Sequence, residues 1–347
     1  VSERQRALIV CPGRGSYARE TMGCLKGRSP AAQRVIAACD AWREAHGRPT
    51  VSELDAADAF SNRRHVAGEH ASLLTFAASL ADAAELHERF EVVGVTGNSM
   101  GWYTALAVAG ALPLQDAIRL VDTMGAYQEG NVLGAQLLYP LTGDDWKPAP
   151  ARRALIDEAL EQTRAAGHGA WWSIDLGAFA VLGADDEGAR TLTELLPPEH
   201  RGARTFPVKL PLHSAFHTPL LQPTAERAQE ELADLLFQRP QFPIVDSNGG
   251  LHRPLSADPE ALRSYTLGQQ VTAPFDFALA VRAALYHTVP DVIVLLGPGN
   301  SLGAPAAAIV VQAGWHGHKT RQAFEAAQRA TPYLLAFGRE DQRGLLR

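Results

Sequence analysis

The chain has 347 residues, 46% of them hydrophobic and 20% charged, and a formal net charge of −6. This is the composition of an ordinary globular protein, long enough for one large domain or a large one with a small one, and its acidic balance argues against general nucleic-acid binding. No apolar run has the length of a membrane span, the polar start Val1–Arg6 has no signal-peptide core, and three cysteines (Cys11, Cys24, Cys39) without metal-type spacing point to a reducing cytoplasm, with no metal expected.

Ala7–Cys11 reads as a first strand, ending in the turn Pro12-Gly13-Arg14-Gly15-Ser16. Residues 71–88 carry apolar residues at helical spacing, among them Leu73, Phe76, Leu80 and Ala84. Val92–Thr96 has the look of a buried strand and Tyr103–Ala109 that of a buried helix, and between them lies Gly97-Asn98-Ser99-Met100-Gly101. A G-x-S-x-G at a strand-to-helix corner predicts a serine exposed on a sharp turn, with glycines where side chains would clash. Its hydroxyl would stand beside the free N–H groups of a helix N-terminus, which can stabilise an oxyanion. Pro113 opens the next helix, with Leu114, Ile118 and Val121 on one face.

The texture changes near residue 130. Ala135–Leu141 is strand-like, Arg152–Ala165 helical, Trp171–Ile174 and Ala178–Leu182 strand-like, Ala189–Leu196 helical and Thr205–Leu210 strand-like. The order β-α-β-β-α-β is that of a ferredoxin-like unit, here a small insertion over residues 130–203. A helix over 219–237, a strand at 243–247, helices near 258–268 and 276–287, a strand at 291–296 and a helix at 303–312 follow. A polar helix and tail from His318 end the chain. Residues 1–129 and 204–347 together predict an α/β large subdomain, a mainly parallel sheet covered by helices on both faces.

A serine nucleophile needs a base. Of the 12 histidines, the best placed lie in Leu212-His213-Ser214-Ala215-Phe216-His217-Thr218-Pro219-Leu220-Leu221, at the junction between the two parts, where clefts favour ligand sites. With this segment in view, four stretches in order resemble the acyl-carrier-protein acyltransferase family, that of malonyl-CoA:ACP transacylases and polyketide synthase acyltransferase domains. They are Gly13–Ser16 (a G-Q-G-S-like loop), Gly97–Trp102 (a G-H-S-x-G-E-like elbow), Phe216–Leu221 (an F-H-S-x-L-M-like segment) and Gly297-Pro298-Gly299. The resemblance spans nearly the whole chain and implies an α/β-hydrolase-like large subdomain carrying the ferredoxin-like insertion. It implies Ser99 as nucleophile, His217 as general base oriented by a backbone carbonyl in the region Gln270–Pro274, and the N–H groups of Met100 and Arg14 as oxyanion hole. His213 is assigned a loop role. The resemblance further implies no bound cofactor, a substrate carried as a phosphopantetheine thioester on CoA or on an acyl carrier protein, and that carrier as partner. Arg63, Arg64, Arg201, Arg204 and Lys209 are candidates for a basic patch to meet an acidic carrier.

The departures from the family pattern bear on the acyl group. Members that use malonate hold its carboxylate with an arginine in an L-V-x-x-R-G context, and Leu120-Val121-Asp122-Thr123-Met124-Gly125 has Met124 there. The elbow's Glu or Gln is Trp102, the histidine before the nucleophile is Asn98, the loop glutamine is Arg14, and His70 stands for a pocket glutamine. With Gln128 and Phe216, these residues are expected to line a pocket for an uncharged acyl group rather than malonyl, because a methionine cannot pair with a buried carboxylate. Arg14 is the alternative cation, should malonate be used. Three competing functions remain open: an acyl-ACP hydrolase on the same fold, a non-catalytic carrier-binding domain, and an α/β-hydrolase using Asp291 with His316 or His318.

Overall fold

The structure, a computed structural model, describes residues 4–347, so residues 1–3 of the polar start lie outside it. In chain order its strands are β1 (Gln5–Cys11), β2 (Phe90–Gly97), β3 (Ala135–Pro140), β4 (Ala170–Asp175), β5 (Phe179–Ala184), β6 (Glu199–Arg201) and β7 (Arg204–Phe206). Then come β8 (Val208–Lys209), β9 (Ile244–Val245), β10 (Leu251–His252), β11 (Phe275–Asp276), β12 (Val292–Leu295) and β13 (Leu334–Ala336).

The larger sheet runs β10-β9-β2-β1-β12-β13, and every neighbour pair is parallel except β9 with β10. β1 and β12 are both interior strands, and the apolar runs Ala7–Cys11 and Val292–Leu295 are buried throughout, as a parallel sheet covered on both faces requires. The fold class expected from the sequence holds. The helix Gly68–Ala84 is buried on nearly all sides and packs against the helices Pro30–Ala45, Gly101–Val108 and Leu114–Ala126. Its small residues (Ala71, Ala77, Ala78, Ala81) let those neighbours approach closely.

The smaller sheet runs β11-β4-β5-β3-β8, antiparallel except for β11 beside β4. It has its own core, with Leu137, Tyr139, Ile156, Leu160, Leu182 and Leu192 meeting beneath the helices Pro150–Ala165 and Asp186–Leu195. Residues 130–203 supply β3, β4 and β5, while β8 and β11 come from the flanking chain.

Several elements differ from the sequence reading, among them the helix expected over 219–237, which runs only from Gln222 to Glu231. Thr205–Leu210 is not one strand: Pro207 lacks an N–H, so β7 closes a hairpin with β6 and β8 alone joins the sheet. The helix expected over 258–268 ends at Ser264 and passes into a wider π-type turn, Tyr265–Gln269. The tail after His318 contains β13, which pairs with β12 through three residues too few to show a period. The sequence pattern gives no element for residues 17–70, yet Ser29 caps the helix Pro30–Ala45, its hydroxyl accepting from Ala32 N with Pro30 in the first turn.

Candidate active site

Ser99 stands where β2 ends and the helix Gly101–Val108 begins. Its φ is +54°, a left-handed conformation that costs a non-glycine residue about 1 to 3 kcal/mol and persists only where the surroundings enforce it. Here they do. Asn98 N donates to Cys11 O (2.9 Å) and Gly101 N to Asn98 O (2.7 Å), which folds the turn onto the end of β1. A Cβ on Gly97 would lie 2.1 Å from Gly101 O, and one on Gly101 would lie 2.2 Å from Cys11 O, so glycine is required at both positions.

His217 meets this serine from the other side of the cleft, 2.7 Å from Nε2 to Ser99 Oγ. Its Nδ1 lies 2.6 Å from Gln270 O. A carbonyl can only accept, so Nδ1 carries the proton, Nε2 is the acceptor and the Ser99 hydroxyl donates to it. The imidazole is 1% exposed and its ring centroid is 5.2 Å from that of Phe275. Burial pushes its pKa down to about 4, against the upward pull of the Gln270 carbonyl. His217 also has positive φ (+62°). Its position is fixed by its own N–H on Val271 O (2.8 Å) and by a relay one residue before it, in which Gln136 Nε2 donates to Ser173 Oγ (2.8 Å) and Ser173 Oγ to Phe216 O (2.9 Å).

Gln270 does more than its carbonyl suggests. Its Nε2 donates to Ser99 O (3.0 Å) and its Oε1 accepts from Tyr103 OH (2.9 Å), so one residue fixes both the serine's backbone and the histidine's ring. Sequence reasoning located the region Gln270–Pro274 but not this side chain. The π-type turn that delivers it has no sequence signature, although such turns concentrate at functional sites. The relay Gln136–Ser173 was likewise missed, since two neutral polar residues inside strands carry no signal.

Ser99 and His217 open into a cavity of about 570 Å³ between the two sheets. Asn98, Met124, Gln128 and Phe216 line it, together with Val121, Leu138, Ile174, Val181 and Leu210. The backbone N–H groups of Met100 and Arg14 are left without an acceptor among the described residues, and both residues line the cavity. Asn98 Oδ1 is buried without a partner among the described residues. The Gly297–Gly299 turn reaches the same wall through Gly299 and Asn300. Its Gly297 N donates to Asp82 Oδ2 (2.7 Å), whose carboxylate pairs with Arg28 (2.6 Å).

Two expected pocket residues are elsewhere. Trp102 is fully buried but points away from the cavity: its Nε1 donates to Thr266 Oγ1 (2.9 Å) and its ring meets Tyr265 edge-on at 5.0 Å. An indole of this size needs a dry slot with one acceptor, and the far side of the helix supplies both. His70 also misses the cavity. Its Nδ1 accepts from Arg43 Nη2 (2.7 Å), and that guanidinium is fully buried and paired with Asp122 (2.7 Å). Burial and the Arg43 charge hold the His70 pKa below its ordinary value.

His213, assigned a loop role, does line the cavity. Its Nδ1 donates to Pro211 O (2.8 Å), and burial and the Arg14 charge push its pKa down to about 3, so it is a neutral imidazole. The residues of the rival triad are not assembled. Asp291 accepts from Arg6 N (2.8 Å), His318 binds Tyr333 OH (3.1 Å), His316 packs edge-on against the same tyrosine, and none lines the cavity. Of the proposed basic patch, Arg204 is exposed at the cavity's edge, whereas Arg201 is paired with Glu199 (2.7 Å). No helix of the described residues is long and apolar enough to cross a membrane.

No family model matches the chain. It is 25% identical over 303 residues to the malonyl CoA-acyl carrier protein transacylase of Bacillus subtilis, covering 85% of this chain and 87% of that one. It is 29% identical over 211 residues to polyketide synthase GfsB of Streptomyces halstedii, a match that takes in 60% of the chain but 4% of that much longer synthase. In fold it is similar to the malonyl-CoA:acyl carrier protein transacylase of Xanthomonas oryzae (TM-score 0.75, 22% identity, 100% of this chain and 98% of that one). It is also similar to a malonyl-transacylase solved in complex with its type II polyketide synthase acyl-carrier protein (TM-score 0.71, 21% identity, 88% and 93%). The chain's relatives by sequence are thus malonyl-CoA:acyl-carrier-protein transacylases and polyketide synthases, and its fold is that of the transacylases.

Proposed function

We propose that this chain is an acyltransferase acting on an acyl carrier protein in fatty-acid or polyketide synthesis, working through an acyl ester on Ser99. The observation that carries the reading is the Ser99 Oγ–His217 Nε2 contact of 2.7 Å, with the opposite ring nitrogen tied to Gln270 O. Ser99 Oγ attacks the carbonyl carbon of a phosphopantetheine thioester while its proton passes to His217 Nε2. The negative charge on the carbonyl oxygen is held by the N–H groups of Met100 and Arg14, where losing one donor costs about 3 kcal/mol of barrier. The C–S bond breaks, the departing sulfur takes the proton from the imidazolium, and the acyl group remains on Ser99. The carrier's phosphopantetheine thiol then gives its proton to His217 and attacks the ester, and the serine oxygen leaves with that proton.

The acyl group is, in this reading, one other than malonyl. Support comes from Met124, 3% exposed in the cavity wall at the position where the resemblance implies an arginine. Trp102, bonded to Thr266 on the far side of its helix, does not line this pocket. The test is to mix the protein with acyl thioesters, read the mass added to Ser99, and then add a holo carrier protein. Transfer of the acyl mass to the carrier, abolished in Ser99→Ala and His217→Ala, is the expected result. Release of free acid in place of transfer would make the protein a hydrolase on the same fold, and absence of any ester would leave a carrier-binding domain.

A further inference from the structure

The charged side chains lining the cavity are Arg14, Glu20 and Arg204, and the last two are exposed. Arg14 alone is set into the wall. Its Nη1 donates to Gln128 Oε1 and its Nη2 to Leu212 O, each at 2.8 Å. Both acceptors are neutral, and Arg14 takes part in no ion pair of the described residues. Burial draws its pKa down to about 10, so the guanidinium stays charged at neutral pH. The Glu69 charge pulls that pKa the other way but forms no ion pair with Arg14, and a cavity-wall charge without a contact partner is costly, by several kcal/mol when desolvated, unless something in the cavity pairs with it.

The seat for this side chain is shaped for it. A Cβ on Gly68 would lie 2.5 Å from Arg14 Nη1 and 2.7 Å from Gln128 Nε2, so the bare glycine gives the pair its room in this arrangement. Leu212 holds a φ of +56°, and its carbonyl accepts from Arg14. Three elements therefore converge on one guanidinium: the start of the helix Gly68–Ala84, the chain just after the helix Leu114–Ala126, and the loop leading to His217. Gln128 and Leu212 use two of its five N–H donors, which leaves a fork's worth for a planar anion.

We propose that Arg14 binds a carboxylate on the acyl group, so that the cation of the acyl pocket stands on the loop after β1 while the helix Leu114–Ala126 presents Met124 instead. The acyl chain's methylenes lie against Met124, Val121 and Phe216, and its terminal carboxylate takes the free N–H groups of Arg14. This rests on the acyl-Ser99 reading. It is compatible with an acyl group other than malonyl, because a cation on a different element fixes the carboxylate at a different place.

The experiment compares thioesters of matched length with and without a terminal carboxylate: malonyl-, succinyl- and glutaryl-CoA against propionyl-, butyryl- and valeryl-CoA. Initial rates of Ser99 ester formation are read by intact mass in the wild type, Arg14→Gln, Arg14→Lys and the double variant Arg14→Gln/Met124→Arg. The same ligands are titrated by calorimetry into Ser99→Ala protein, with and without Arg14→Gln, so that recognition is read apart from transfer. The expected result is a preference for at least one carboxylated thioester of about tenfold or more. Arg14→Gln costs the carboxylated thioester about tenfold or more beyond whatever it costs the neutral one of the same length, Arg14→Lys keeps part of the preference, and Met124→Arg restores carboxylate loading from the helix Leu114–Ala126. Equal losses for neutral and carboxylated thioesters would make Arg14 a clamp for the Leu212 loop and overturn the proposal. So would a wild type that binds and loads only neutral acyl groups. If malonyl is the preferred group and depends on Arg14, the reading of a non-malonyl substrate fails and this inference stands. If carboxylated ligands bind Ser99→Ala in an Arg14-dependent way but no ester ever forms on Ser99, the acyl-serine mechanism fails instead.

Discussion

The pH dependence of Ser99 acylation is a direct consequence of where the imidazole lies. His217 is 1% exposed, packed on Phe275, and lowered to about pKa 4 chiefly by burial. Only the neutral ring can take the serine's proton. At pH 5 a base of pKa about 4 is about 90% neutral, whereas a solvated histidine of pKa 6.5 is about 3% neutral, a difference of about thirtyfold in rate. The assay is the rate of Ser99 labelling by an uncharged fluorophosphonate between pH 3.5 and 8, followed by intact mass, with circular dichroism at each pH to confirm the fold. The rate should be level from pH 8 to about 5 and fall with a midpoint near 4. A midpoint near 6.5 would refute a dry imidazole and with it the account of how the cleft holds His217.

The same shift makes a prediction about stability. The unfolded chain protonates this histidine near pH 6.5 and the folded chain only near 4. The unfolded state therefore binds more protons between those values, and stability is lost as pH falls through that window. Fully developed, the loss from His217 is about 3 kcal/mol, set by a pKa of about 4 in the folded chain against 6.5 in the unfolded one. His213, held neutral down to about pH 3, acts in the same direction. Urea midpoints at pH 7.5, 6 and 5 should decrease in that order, and His217→Gln should flatten the trend.

Other substitutions follow from the packing. Gly101→Ala forces its Cβ against Cys11 O and should abolish the elbow, read as loss of fluorophosphonate labelling, with Ala105→Gly in the same helix as a control that keeps it. Trp102→Phe removes the bond to Thr266 Oγ1 on the side away from the cavity. It should lower the thermal midpoint, consistent with about 1 to 3 kcal/mol, and leave the ranking of acyl thioesters unchanged; a changed ranking would return Trp102 to the pocket. Asp122→Asn leaves the fully buried Arg43 without its counter-charge and should destabilise by about 3 to 5 kcal/mol in chemical denaturation, with acyl selectivity again unchanged.

The sequence by itself determined the corner at Ser99, because a glycine-flanked serine between an apolar strand and an apolar helix has few ways to fold. It also determined the alternation of strands and helices behind the parallel sheet, and the order of the inserted unit, since both rest on local periodicity. The candidacy of His217 came from motif order, and the carbonyl that orients it was placed only to within a region. Tertiary structure decided the rest. Whether Trp102 faces the cavity or Thr266 depends on which side of one helix is solvent-free, and the two sides read alike in sequence. His70 and Arg14 both feel the Glu69 charge, and only the contacts tell a satisfied structural histidine from a cation that lines a cavity without an ion-pair partner among the described residues. Gln270, Gln136 and Ser173 are neutral polar residues 37 to 134 positions apart, and nothing local announces that they converge on one serine–histidine pair. The short strands β11 and β13 are of the same kind: two or three residues carry no period, and pairing with a distant partner is what makes them strands.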